Sequence, residues 1–212
     1  AKLLLHSLKK NNIKITSFIS ASAVGYYDTK TDGKIYKETD EKGDGFLSNV
    51  VYQWEQIADL FAKEDIAERV VKLRTGVVLS KAGGALPKLI FPIKFYIGAV
   101  LGNGKQYMPW IHIEDICSMY EFSIKNKHIN GVFNACSPEE TTYKTITKLL
   151  AEVLRKPVFL LSISSFIIKL ILGESSIILL QGSQVSSDKI IDAGFVFKFI
   201  NLELALKDLL KK

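Results

Sequence analysis

The chain has 212 residues, 48% hydrophobic and 24% charged, enough for one sizeable globular core with at most a modest appendage. Its formal charge of +6 comes from 28 lysines and arginines against 22 carboxylates, but the only arginines are Arg69, Arg74 and Arg155 and the lysines are scattered. This is not the clustered basic face with interleaved aromatics of a nucleic-acid binder. The most apolar stretch, 163–180, is broken by Lys169, Gly173 and Glu174, so it reads as two short buried helices and not as a bilayer span. Cys117 and Cys136 have no metal-ligand spacing and sit in apolar surroundings, as buried free thiols of a cytoplasmic protein do.

In chain order, residues 2–10 read as an amphipathic helix. The uncharged, β-branched run at 15–20 reads as a buried strand. A polar loop spans 28–45. Helical spacing follows over 46–64, where Phe46, Val50, Trp54, Ile57, Ala58 and Phe61 fall on one stripe. Residues 69–79 read as one buried strand and its exit, 85–96 as a helix, and 98–109 as a glycine-rich loop. A helix is expected over 113–126, with Glu114 and Asp115 in its first turn, where carboxylates suit the positive helix end. A strand at 131–137, a helix at 142–155 and a final helix at 202–210 complete the pattern. Alternating strands and helices indicate an α/β fold with a parallel sheet.

Three segments carry candidate chemistry. ISASAVGYYD (19–28) ends a strand in Ser20 and Ser22, where open α/β sheets hold ligands. A serine hydroxyl there can donate to a carbonyl as charge develops on it, or merely cap the turn. KLRTGVVLS (72–80) puts Arg74 in an apolar strand, which demands a carboxylate partner or a reach to a loop. GNGKQYMPWIHIEDI (102–116) brings Trp110 and His112 to a loop-to-helix junction.

These segments, with WEQIA (54–58), GGALPKL (83–89) and FNACSPE (133–139), resemble the epimerase-like subfamily of extended short-chain dehydrogenases/reductases. The tail at 173–197 resembles that subfamily's C-terminal domain of unknown function. The resemblance implies the C-terminal part of a Rossmann-type doubly wound parallel sheet over 1–157, with a small α+β substrate-side domain over 158–212. It implies NADP or NAD as cofactor, with NADP favoured, and an unknown small-molecule substrate. Ser22 would support a substrate carbonyl beside the nicotinamide. Tyr26 would line the same pocket, and the proton donor would be Tyr26, Tyr27, Tyr52 or His112, with Tyr26 favoured by its strand-end position near Ser22. Ser20, Ala21, Thr75, Gly76 and Val77 fall on the cofactor side. Arg74, Trp110 and His112 fall on the substrate side. Many relatives pair two copies through the helix at 46–64.

The sequence departs from that pattern twice. Dehydrogenases of this type use a Tyr-x-x-x-Lys pair in which the lysine lowers the tyrosine's pKa. Glu55 matches the glutamate that follows the pair, and counting back places Leu47 and Val51 where tyrosine and lysine belong. The glycine-rich turn that grips the pyrophosphate is also absent before Ile15. Two readings therefore stay open: a nicotinamide-dependent epimerase or oxidoreductase seen as its C-terminal part, and a non-catalytic NADP-binding regulator linked to cell division. A truncated gene product is a third. The segment alone is expected not to grip a dinucleotide tightly.

Overall fold

The computed structural model describes residues 1–29, 33–157, 159–163 and 182–211. Helix α1 (Lys2–Lys10) leads into β1 (Ile15–Ala23), longer by three residues than the apolar run predicts. After a 3-10 turn at Val24–Tyr26 come β2 (Ile35–Tyr36), α2 (Phe46–Lys63) and β3 (Ala67–Thr75). The central sheet runs in the order β1-β3-β8, all parallel, where β8 is Gly131–Ala135.

Register decides what meets what. Phe18, Ser20 and Ser22 of β1 lie opposite Val70, Lys72 and Arg74 of β3. Because strand side chains alternate, these six share one face. Helix α2 covers that face with Ser48, Val51, Glu55, Ala58 and Phe61, spaced three or four apart as one helical stripe. The contact changes character along the strands. Phe61 stacks on Phe18 with centroids 3.8 Å apart; Asp59 then takes Lys72 at 2.6 Å, and Glu55 takes Arg74 nearer the strand ends. The opposite face, with Val71 and Leu73, packs on Ile116 and Met119 of α4 (Ile113–Lys125).

The expected single strand at 69–79 is broken. β3 stops at Thr75 and β4 (Val77–Ser80) starts a second sheet with β5 (Gly83–Gly84) and β7 (Trp110–His112). Gly76 is the break, and a Cβ there would sit 2.7 Å from the Pro109 carbonyl oxygen, so only glycine fits without a shift. The expected glycine-rich loop at 98–109 is corrected too. Its first part is strand β6 (Ile97–Leu101), which follows α3 (Ala85–Lys94) and pairs in parallel with β9 (Phe159–Ile163). Only then do Gly102 and Gly104, with φ of 60 and 69, form the turn. The polar loop at 28–45 also holds β2, which pairs with β10 (Gln184–Val185).

Residues before and after 157 thus share two sheets. They also share a core, in which Trp110 meets α5 (Tyr143–Val153) and the final helix α7 (Leu202–Leu210), the latter preceded by α6 (Asp188–Asp192). Cys136 is buried, but Cys117 is exposed on α4, contrary to the reading of both as buried. The two helices expected within 163–180 lie, apart from Ile163, outside the described residues. Among the described residues no helix is long and apolar enough to cross a membrane.

Candidate functional site

The carboxyl ends of β1 and β3 carry a buried polar chain. Arg74 is 2% exposed, and a guanidinium so deep requires full pairing. Glu55 supplies it from α2 as a two-pronged clamp: Arg74 Nε donates to Oε1 at 2.8 Å and Nη2 to Oε2 at 2.9 Å. Ser22, also buried, donates its Oγ hydrogen to the same Glu55 Oε1 at 2.6 Å. The third arm, Nη1, reaches the Tyr27 hydroxyl at 2.9 Å, and that hydroxyl donates onward to Asn134 Oδ1 at 2.7 Å. Asn134 is fixed in turn, its backbone N–H donating to Glu38 Oε1 at 2.7 Å and its Nδ2 to the Ser186 carbonyl at 2.8 Å. The Tyr26 ring lies over the guanidinium, 3.3 Å from Cζ to the centroid, and closes the group from the side.

The electrostatics follow from this pairing. Burial alone would raise the Glu55 pKa, but hydrogen bonds from Arg74 and Ser22 outweigh it and hold the carboxyl below its usual range. Burial works against the charge on Arg74 as well, and Glu55 and Tyr27 more than reverse it. Tyr27 is pushed up to about 12 by burial, with Arg74 opposing, so it stays protonated. The ion pair is thus charged on both sides. Ser22 has its hydrogen committed to Glu55 and its lone pairs free to accept. To donate to a carbonyl it must first turn away from Glu55.

Leu47 and Val51 stand where the proton-carrying pair was sought. A Cβ on Gly25 would lie 2.7 Å from Leu47 Cδ2, and Val51 is fully buried. Apolar side chains therefore press on the turn after β1.

The structure joins Ser22, Arg74 and Tyr26 in one group; Ser20, Ala21, Thr75, Gly76 and Val77 lie along the adjoining stretches of β1, β3 and β4, and Trp110 and His112 on β7 of the second sheet. Ser20 lies across from Lys72, and Ala21 is exposed at the end of β1. Thr75 lies between Ala23 and Ala135, with its Oγ1 donating to the Leu73 carbonyl at 3.1 Å. The Gly76 and Val77 amides bond to the carbonyls of Ala135 and Pro109. Trp110 is wholly buried, its Nε1 donating to Thr141 Oγ1 at 3.1 Å. His112 caps α4, its Nδ1 accepting from the Glu114 amide at 3.1 Å, and its ring lies 3.9 Å from that of Phe199. Burial lowers the His112 pKa, with Asp208, Glu114 and Asp115 opposing, so the neutral ring accepts at Nδ1 and carries its hydrogen on Nε2, 3.5 Å from Asp208 Oδ2.

Sequence reasoning missed Asn134, named Tyr27 only as an alternative proton donor, and used Glu55 only as a marker. Glu55 did leave a signal: a carboxylate in register with the buried positions Val51 and Ala58 needs a buried cation, and Arg74 needed a carboxylate. Asn134 left none, because its partner lies 107 residues away. Among the described residues no group of histidine, cysteine and carboxylate side chains could hold a metal ion.

Residues 163–209 match the family model described as "Domain of unknown function (DUF1731)". An epimerase family protein of Staphylococcus aureus (strain NCTC 8325 / PS 47) is 37% identical over 207 residues, covering 96% of this chain and 67% of that protein. One from Bacillus subtilis (strain 168) is 33% identical over 203 residues, covering 96% of this chain and 66% of that protein. The crystal structure of a human epimerase family protein with NADPH superposes with a TM-score of 0.82 at 28% identity, over 92% of this chain and 65% of that one. A Thermotoga maritima UDP-glucose 4-epimerase shares the fold, with a TM-score of 0.77 at 20% identity over 96% of this chain and 64% of that one. This chain thus spans just under two thirds of the human protein's length.

Proposed function

The chain belongs to the epimerase family, and from that premise we propose that it forms part of an enzyme that moves hydride between a nicotinamide dinucleotide, NADP in preference to NAD, and a carbonyl or hydroxyl group of a sugar-like substrate. The observation that carries this reading is Ser22, set at the carboxyl end of a parallel strand and anchored by a charged, fully paired Glu55–Arg74 couple. Such couples cost desolvation and are commonly less stable than apolar packing of the same volume. One that also fixes a strand-end hydroxyl has a use beyond stability.

Small residues fit a flat ring beside that hydroxyl. This reading sets Ser20, Ala21, Thr75, Gly76 and Val77 on the nicotinamide side; Ala21 is exposed near the end of β1, and Gly76, just past β3, carries no side chain. The cofactor, when bound, supplies or accepts the hydride. Ser22 accepts a hydrogen bond from a substrate hydroxyl through its lone pairs, or turns from Glu55 to donate to a carbonyl. Tyr26, half-buried over Arg74, relays the proton. Arg74, Trp110 and His112 act as positioning residues on the substrate side, since all three are buried.

The test is NADPH oxidation by the whole protein across a panel of carbonyl substrates. Turnover is expected, and Ser22→Ala should reduce it by about 100-fold, the scale of losing one hydrogen-bond donor at a developing oxyanion. Turnover unaffected by Ser22→Ala would refute the assignment. Leu47 and Val51 in place of a tyrosine and a lysine favour a second reading, a non-catalytic NADP-binding regulator. Tight NADPH binding without turnover on any substrate would favour that one.

A further inference from the structure

Helix α3 is two-sided. Leu86 and Ile93 turn inward and join the core with Leu79 and Trp110. Lys88, Phe91 and Phe95, the last just past the helix end, are spaced three and four apart and share the other side. Phe91 is 64% exposed and Phe95 63%, and their rings meet edge to face with centroids 5.3 Å apart. Tyr96 and Ile97 follow in the chain, both exposed. Scattered apolar side chains on a surface need no explanation, but a run that adjoins does. Tyr96 adds a second signal. Its φ of 62 lies in the left-handed region, where a helix exit ordinarily places glycine because an L side chain is strained there. The chain keeps a bulky aromatic instead. Lys156 lies over its ring, with Nζ 4.4 Å from the centroid and donating to the hydroxyl at 3.1 Å.

Charge narrows what this face can meet. From 69 to 113 the chain has no aspartate or glutamate. The inward cations of that stretch are paired from α2, Lys72 with Asp59 and Arg74 with Glu55. Lys88 and Lys94 are exposed and meet no carboxylate among the described residues. Other surface lysines do, as Lys9 meets Glu64 at 2.7 Å and Lys198 meets Glu114 at 2.6 Å. On α5, which packs against α3, Glu152 is engaged by Lys148 at 3.8 Å. The face is therefore apolar at its centre with unpaired positive charge beside it. The boundary between lipid headgroups and acyl chains accommodates that combination, with lysine stems along the apolar part and ammonium groups at the phosphates. Two copies of the chain would instead bring the same unpaired cations together. The two phenylalanine rings, inclined at 64°, offer no flat platform on which bases could stack.

We propose that the outer face of α3 and the start of β6 dock on the surface of an anionic lipid bilayer. The contact lies on the membrane and does not span it. It is independent of the chemistry assigned to Ser22.

Co-sedimentation of the whole protein with phosphatidylcholine vesicles, with and without phosphatidylserine, tests it. Binding is expected only with phosphatidylserine, and it should weaken as salt rises. Lys88→Gln/Lys94→Gln should weaken it by about 30-fold, the scale of removing two lysines from beside an anionic leaflet. Phe91→Ser/Phe95→Ser should weaken it as well, by withdrawing the apolar part. All four side chains are exposed, so Tm should stay level in both variants. The lysine pair has no carboxylate to lose, and its variant decides the matter even where the phenylalanine variant fails to fold. Equal binding to both kinds of vesicle, no binding to either, or binding unchanged in the lysine variant would overturn the proposal. So would self-association lost in the phenylalanine variant without vesicle binding, which gives the face to a second copy. Binding of a single-stranded oligonucleotide that the lysine variant loses, without vesicle binding, would give it to nucleic acid.

Discussion

Glu55 and Arg74 make a sharp prediction about stability. Each is buried and each is the other's main partner. Replacing either one by a neutral side chain leaves a buried charge unpaired, at a cost of about 3–5 kcal/mol. Replacing both with apolar side chains removes that charge, so Glu55→Leu/Arg74→Met should be closer to wild type than either single variant. Urea unfolding of the four proteins as a double-mutant cycle checks this, and simple additivity would contradict it. The pH dependence follows from the same kind of bookkeeping. His112 has a folded pKa below its ordinary 6.5. The unfolded chain therefore binds that proton first, and stability should be fully present above pH 6.5 and fall as the pH drops from there toward the folded value. Thermal melts between pH 7.5 and 5 should show the decline, and His112→Gln should flatten it. Glu55, also lowered, adds a separate loss only below its ordinary 4.5.

Elements show where sequence reasoning reaches and where it stops. Helix α2 was legible as a helix because apolar residues repeat every three or four positions, but its buried stripe was not: of the residues read on one stripe, Ala58 and Phe61 are buried while Phe46 and Trp54 are exposed, and Ser48, Val51 and Glu55 complete the inner face. β1 was legible because its run is uncharged and β-branched. The break at Gly76 was not, since what forbids a side chain there is the Pro109 carbonyl, 33 positions away. Gly76→Ala should therefore cost about 1–3 kcal/mol, the usual scale of forced overpacking. A melting curve matching wild type would show that β3 and β4 can shift apart. Strand β6 was hidden for a similar reason. Its glycine at 98 looks like a loop residue until β9 supplies the hydrogen bonds from some 60 positions on. Ser22 and Arg74 were visible as unusual residues in their strands, but the facing register Ser22↔Arg74 and the long reach to Asn134 exist only in the folded sheet.

On the molecular scale, α2 shows two faces. Its inner stripe holds the site, while Phe46 is 85% exposed and Trp54 52% exposed. These two aromatics lie about two turns apart on α2, and we propose that two copies pair through this helix. Light scattering should give a dimer, and Phe46→Glu with Trp54→Glu should give a folded monomer whose Tm no longer depends on protein concentration. A wild-type monomer would dismiss the idea. The fold, a parallel α/β sheet, was legible from alternating elements. The absence of a Tyr/Lys pair was legible too, and the folded chain adds what stands there: apolar side chains at Leu47 and Val51, with Ser22 tied to Glu55 beside them. We propose that this tethered serine serves hydride transfer. The most direct measurement is the NADPH-dependent turnover of the whole protein beside that of Ser22→Ala, with NADPH affinity measured for both. Turnover should fall by about 100-fold with cofactor affinity unchanged; equal turnover in the two proteins, or a loss explained wholly by weaker NADPH binding, would rule this role out.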